Sequence, residues 1–195
     1  IGKSRAFNLL DSDDVKSTLK ILKKLGVNII KNNKFCEING RGLNGFKFKK
    51  NLTLDAGNSG TLARLISGLL IRSPHHIKLK GDKSLSRRDF SRVIEPLNKF
   101  GVNFFPKNRS RLPINLKGTD FVTPINYNEY RGSAQCKSLV MLAALLSPGI
   151  TKIKAKKSRD HTEILFKKLN IPIKIRKEKN YDFIEVESSN INAFN

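Results

Sequence analysis

A phrase returns three times along this chain: Leu25-Gly-Val27, Phe100-Gly-Val102 and Leu169-Asn-Ile171, at offsets of 75 and 69 residues. Each follows apolar residues at helical spacing and precedes an apolar run, so each reads as helix, left-handed stop, strand. A period of this length marks a chain of repeated supersecondary units, which must stack to bury their apolar faces. Asn58 and Ser133, both in small-residue turns, are also 75 residues apart. Each unit reads as a small-residue turn with an apolar helix, a strand, a polar turn with a second helix, and a hairpin. Two units are complete. The first shows only its second half, and the same offset would set its missing turn about 17 residues ahead of Ile1. With Met141 the single methionine, a fragment is expected. One domain of three related layers, an α/β (α+β) fold, is the economical architecture.

The elements follow from local chemistry. Ser12 can cap a helix carrying Asp13 and Asp14 in its first turn, and Gly26 stops it. Val27–Ile30 and Phe35–Ile38 read as a hairpin. Leu54-Asp-Ala-Gly-Asn-Ser-Gly-Thr61 is a strand end and turn leading into a helix that runs to about Leu70. A strand over His76–Lys80, a polar basic loop over Gly81–Arg88, and a helix from Asp89 to Gly101 come next. Pro96 is expected to kink that helix or end it early. Val102–Phe105 with Leu112–Leu116, and Ile171–Ile175 with Phe183–Val186, make two more hairpins. Between them lie a helix over Leu139–Leu146, a strand over Ile150–Lys154, and a helix opened by Ser158-Arg-Asp-His-Thr-Glu163. Lys3-Ser4-Arg5 reads as a frayed end. Residues 188–195 are polar and read as a domain edge.

The formal charge is +22, from 38 Lys and Arg against 16 Asp and Glu. Such an excess argues for anionic partners. The lysines are nevertheless scattered singly and in pairs, so most read as solvated surface. No run is long enough to span a bilayer. Cys36 and Cys136 form no disulfide or zinc pattern, which suits a reducing cytoplasm.

Asn58-Ser-Gly-Thr61, Ser133-Ala-Gln135 and Ser158-Arg-Asp160 are three similar helix starts. If the units are related by near symmetry, these starts converge, and their free N–H groups and dipoles form an anion site. Arg64, Arg88 and Arg159 would add bidentate partners for phosphate or carboxylate. No His, Cys, Asp and Glu cluster has metal-ligand spacing, and no nucleophilic triad is readable.

At these turns the chain resembles the 3-phosphoshikimate 1-carboxyvinyltransferase (EPSP synthase) family, the shikimate-pathway enzymes inhibited by glyphosate. The stretches that carry the resemblance are Gly57-Asn-Ser-Gly-Thr-Leu-Ala-Arg64, Gly81-Asp-Lys-Ser-Leu-Ser-Arg-Arg88, Gly132-Ser-Ala-Gln135 and Ser158-Arg-Asp-His-Thr-Glu163. Ser59 stands where many members have Ala. The second and fourth stretches resemble a variant found in part of the bacterial family, glyphosate-tolerant members included; with Gly60 present, tolerance is not implied.

The resemblance implies one domain of a two-domain enolpyruvyl transferase fold, made of βαβαββ units with helices inside and sheets outside. Residues 1–187 would be the substrate-binding domain, and 188–195 the edge or crossover toward a second domain. Carried over by position, Asn58, Gly60, Thr61, Arg88 and Gln135 would hold phosphoenolpyruvate. Ser133, Ala134, Gln135 and Arg159 would hold shikimate 3-phosphate. Arg64 matches a motif arginine whose role stays open. The family's Lys-Ser-x-x-x-Arg segment and its proton-moving residues are expected outside these 195 residues, so no catalytic residue, metal or cofactor is assigned here.

The expected partners are small-molecule anions, with no nucleic acid or membrane, and the expected state is a monomer in the cytoplasm. An alternative keeps the repeated fold and takes the charge as the mark of an RNA-binding or RNA-end-processing module. The lack of a basic stripe with interleaved aromatics argues against it. A related transferase acting on a UDP-sugar would need a cysteine in a mobile loop, and neither cysteine lies in one.

Overall fold

The computed structural model describes residues 2–106 and 110–188. The sheets state the repeat most clearly. Strands β4 (Leu52–Asp55), β5 (Ile77–Lys80), β6 (Asn103–Phe105) and β7 (Ile114–Lys117) form one sheet in the order β4-β5-β7-β6. Strands β8 (Asn126–Glu129), β9 (Ile150–Lys156), β10 (Ile173–Lys177) and β11 (Tyr181–Glu187) form another in the matching order β8-β9-β11-β10. In each, the first two strands are parallel and the hairpin joins antiparallel. Strands β1 (Lys3–Phe7), β2 (Asn28–Lys31) and β3 (Phe35–Asn39) pair as β1-β3-β2, the same pattern without its leading strand. Lys3-Ser4-Arg5, expected to fray, thus lies in β1 and pairs with β3, where Arg5 Nε meets Glu37 Oε2 at 3.0 Å.

The repeated phrase is one structural device used three times. Helix α1 (Asp13–Lys24) is capped by Ser12, whose Oγ accepts the Val15 N–H at 3.3 Å. Gly26, Gly101 and Asn170 have φ of +84°, +97° and +52°. The next amide in each case reaches back to the helix: Val27 to Leu22, Val102 to Leu97 and Ile171 to Phe166, at 3.0, 3.0 and 2.9 Å. This is the Schellman closure, which needs a residue tolerant of left-handed backbone.

Helices α2 (Gly60–Leu69) and α5 (Ala134–Ala144) lie inside. Residues 136–141 of α5 are all buried, whereas β9 alternates exposed and buried along its length. Helices inside and sheets outside is therefore the observed arrangement, as the resemblance implied. The inner helices approach closely: a Cβ on Gly68 would sit 2.6 Å from the Leu139 carbonyl oxygen.

The structure departs from expectation in places. Asp82 caps a one-turn helix, α3 (Lys83–Ser86), inside the stretch expected to be loop. Helix α4 (Ser91–Lys99) starts after Asp89, whose carboxylate accepts the Ser91 N–H and hydroxyl at 2.8 and 2.6 Å. It runs through Pro96 rather than ending there, because a proline near the C-terminal end forfeits a single bond to Arg92 while its ring packs in the core. Strand β8 had no counterpart in the expected elements. Of residues 188–195, the expected edge or crossover, only Ser188 lies within the described residues.

Candidate anion-binding site

Strand β4 ends at Asp55, and its carboxylate shapes the turn by accepting the Gly57 N–H at 3.0 Å. The third unit repeats the device more strongly. Buried Glu129, the last residue of β8, accepts the Arg131 N–H at 3.3 Å and the Ser133 N–H at 2.7 Å. Gly57 and Gly132 supply left-handed backbone, with φ of +56° and +73°. Ser59 then caps α2 by accepting the Leu62 N–H at 3.3 Å, and Ser133 caps α5 by accepting the Cys136 N–H at 3.3 Å. The structural partner of Ser133 is therefore Ser59 and not Asn58, a one-residue correction to the repeat register. Asn58 turns outward and donates from Nδ2 to Asp82 Oδ2 at 2.7 Å, tying the α2 turn to the start of α3.

Two helix starts meet through Gln135. Its Nε2 donates to Thr61 Oγ1 at 2.6 Å, and its Oε1 accepts from Arg64 Nη1 at 3.0 Å. The same Arg64 nitrogen donates to the Gly60 carbonyl at 3.0 Å, and the guanidinium lies over the Phe90 ring. Arg88 arrives from the end of α3, so that a Cβ on Gly60 would lie 2.7 Å from Arg64 Nη1 and 3.0 Å from Arg88 Nη1. Cationic groups thus crowd the amide end of α2. Burial lowers the Arg64 pKa, and Arg92 and Arg88 push the same way. An arginine stays charged through such a shift, and an anion would relieve the repulsion.

The third start is joined to the second from behind. Helix α6 (His161–Lys168) follows Asp160, whose carboxylate meets Lys177 at 3.1 Å instead of capping the helix. The Lys177 ammonium lowers the Asp160 pKa. Ser138 and Thr162 share a hydroxyl bond at 2.7 Å. Lys137 of α5 and Glu163 of α6 make an ion pair at 2.5 Å with side chains 0% and 4% exposed. Arg159 is exposed just before this start.

Among the expected site residues, Gly60, Thr61, Arg88 and Gln135 gather around Arg64, and Asn58 borders them through Asp82. Ser133 and Ala134 open α5 beside Gln135. Arg159 is set near them only through the α5–α6 ties. Sequence reasoning missed Asp55, Glu129 and Asp82; the available signals were a carboxylate at a strand end two residues before a glycine or arginine amide, for Asp55 and Glu129, and an aspartate at a helix-capping position, for Asp82. Among the described residues, no group of three or more His, Cys, Asp and Glu is placed to hold a metal ion, and no helix is long and apolar enough to cross a membrane.

Repeated α/β units with helices inside and sheets outside define a class: one domain of the two-domain enolpyruvyl transferase fold. The chain belongs to the EPSP synthase (3-phosphoshikimate 1-carboxyvinyltransferase) family, whose model matches residues 1–192. It is 41% identical over 195 residues to the 3-phosphoshikimate 1-carboxyvinyltransferase of Ruthia magnifica subsp. Calyptogena magnifica, covering 99% of this chain and 43% of that one. The enzyme of the same name from Clostridium tetani is 38% identical over 193 residues, covering 98% of this chain and 43% of that one. An EPSP synthase structure from Acinetobacter baumannii superposes with a TM-score of 0.85 at 30% identity, covering 97% of this chain and 42% of that one. The chain thus spans less than half the length of the relatives it matches.

Proposed function

We propose that residues 1–187 are the substrate-binding domain of an enzyme that transfers the enolpyruvyl group of phosphoenolpyruvate to the 5-hydroxyl of shikimate 3-phosphate, releasing phosphate. The observation that carries this reading is Gln135, which bridges Thr61 and Arg64 across two repeats. A residue shared between two helix starts can touch both ligands. Phosphoenolpyruvate fits the α2 side, at Asn58, Gly60, Thr61, Arg88 and Gln135. Shikimate 3-phosphate fits the α5 and α6 side, at Ser133, Ala134, Gln135 and Arg159. Helix amides and guanidinium groups neutralise two phosphates and a carboxylate, and they do so already oriented toward the charge that develops in the reaction. A cytoplasmic monomer is the working state of this reading. The domain binds; turnover needs the proton-moving groups assigned elsewhere in the family.

Calorimetric titration tests the assignment. Saturating shikimate 3-phosphate should tighten phosphoenolpyruvate binding, and phosphoenolpyruvate should tighten shikimate 3-phosphate binding by the same factor, since binding couplings are reciprocal. Gln135→Ala should reduce that factor toward one. Independent binding of the two ligands to the unchanged chain would refute the shared-residue reading.

A further inference from the structure

The sheet β8–β11 turns one face to the helices and the other away from them, and the outer face carries an unusual set of side chains. Phe183 stands in the middle of it, on an inner strand. In register beside it are Arg176 on β10 and Lys154 on β9. The Arg176 guanidinium lies 4.6 Å from the Phe183 ring centre, and the Lys154 ammonium lies 5.8 Å from that ring and 4.8 Å from the Tyr181 ring. The next row repeats the pattern with Glu185 between Lys174 and Lys152. Arg176, Phe183, Lys154, Lys174, Glu185 and Lys152 line an open concavity of about 610 Å3, with Tyr181 beside it. Four cations therefore stand around a pair of rings; Arg176 also meets Glu178 at 3.3 Å and Lys152 meets Glu185 at 3.7 Å, which leaves Lys154 and Lys174 in excess. In the chain these cations lie as far apart as Lys152 and Arg176, so only the strand register gathers them.

We propose that this outer face binds single-stranded nucleic acid, independently of the anion site. Cations on alternate residues of one strand are about 6.6 Å apart, a spacing that follows successive phosphates of an extended single strand. Rings between them offer bases a stacking platform, and the two ring-bound cations can swing outward to the phosphates as a base takes their place. A sheet face with aromatic residues on an inner strand and basic residues on its neighbours is a general route to single-strand recognition. An acidic peptide would use the charge and leave the rings idle; the rings favour the nucleic acid.

The experiment is fluorescence anisotropy of a labelled 12-nucleotide oligouridylate with the intact chain, over a salt series. Binding should fall with a log–log salt slope near −3, as expected for about four phosphates on a single strand. Lys154→Gln with Arg176→Gln should roughly halve that slope. Phe183→Leu, which keeps every charge, should weaken binding about tenfold. The control is Lys78→Gln with Lys117→Gln, equal in charge loss and placed on the outer face of the β4–β7 sheet; it should leave affinity nearly unchanged. Circular dichroism checks that each variant is folded. Equal losses from the two double variants, or no loss from Phe183→Leu in a folded chain, would overturn the proposal. Binding of poly-glutamate or inorganic polyphosphate as tight as that of the oligonucleotide would also overturn it.

Discussion

Replacing Gly60 by alanine separates the site from the fold. A Cβ there would lie 2.7 Å from Arg64 Nη1 and 3.0 Å from Arg88 Nη1, both inside the 3.4 Å at which contact with a Cβ becomes ordinary. Those atoms are the ends of flexible side chains, so they can move without disturbing the backbone. Gly60 is the first residue of α2, where alanine is no worse a helix former than glycine. Stability should therefore change by less than about 1 kcal/mol. The displaced guanidinium groups lose their alignment with an anion at the α2 start. One charge-assisted hydrogen bond is worth about 1.5–3 kcal/mol, so phosphoenolpyruvate should bind about 10- to 150-fold more weakly.

Gly68→Ala is the converse. Its Cβ would lie 2.6 Å from the Leu139 carbonyl oxygen, a backbone atom that cannot swing away. Forcing α2 and α5 apart should cost about 1–3 kcal/mol, the usual range for an overpacked core. Urea denaturation and calorimetric titration, run on both variants, give the two readouts. Unchanged affinity in a folded Gly60→Ala chain would refute the placement of the anion over Gly60.

Three further outcomes follow from the geometry. Glu163→Gln strands the Lys137 ammonium in the core and should destabilise the chain by about 3–5 kcal/mol, while Lys137→Met with Glu163→Leu should be neutral or stabilising by urea denaturation. The Asp82 pKa is lowered first by the Leu85 N–H and also by Asn58, and the Asp55 pKa first by Lys80 and also by the Gly57 N–H. A lowered folded value means that stability is present above the ordinary aspartate value of 3.8 and is lost as pH falls through the lower folded one. The Gly57 and Leu85 amide resonances should accordingly hold constant down to about pH 4 and move only below it. Gly26→Ala places a side chain at φ +84° with its Cβ 2.5 Å from the Lys47 carbonyl oxygen, and should lower the thermal midpoint more than Asn170→Ala, where φ is +52°.

Much of the fold was legible because helix stops need particular residues. Gly26, Gly101 and Asn170 stood out as a repeat since few side chains accept left-handed backbone. Strand β8 was not legible. Asn126-Tyr-Asn-Glu129 carries one apolar residue, Tyr127, and its strand character comes from parallel pairing with β9. The start of β1 was missed for the same reason, since its residues gain their order from β3. At the site, the residue types that bind anions were visible and their contacts were not. Arg64 showed as a motif residue, yet its position between Gly60 and Gln135 depends on how α2 and α5 cross. The basic outer face was not legible because strand register, which the order of residues along the chain does not state, brings Arg176 beside Phe183 and Lys154.

The central claim is that the three helix starts act as one anion site. Two-dimensional amide NMR of the isotope-labelled chain, titrated with shikimate 3-phosphate, tests it most directly. Saturable shifts are expected at residues 132–136 and 158–161, passed on to residues 57–61 through the Gln135 bonds to Thr61 and Arg64, all reporting one dissociation constant. Shifts absent from those turns, or constants that differ among the three, would contradict it.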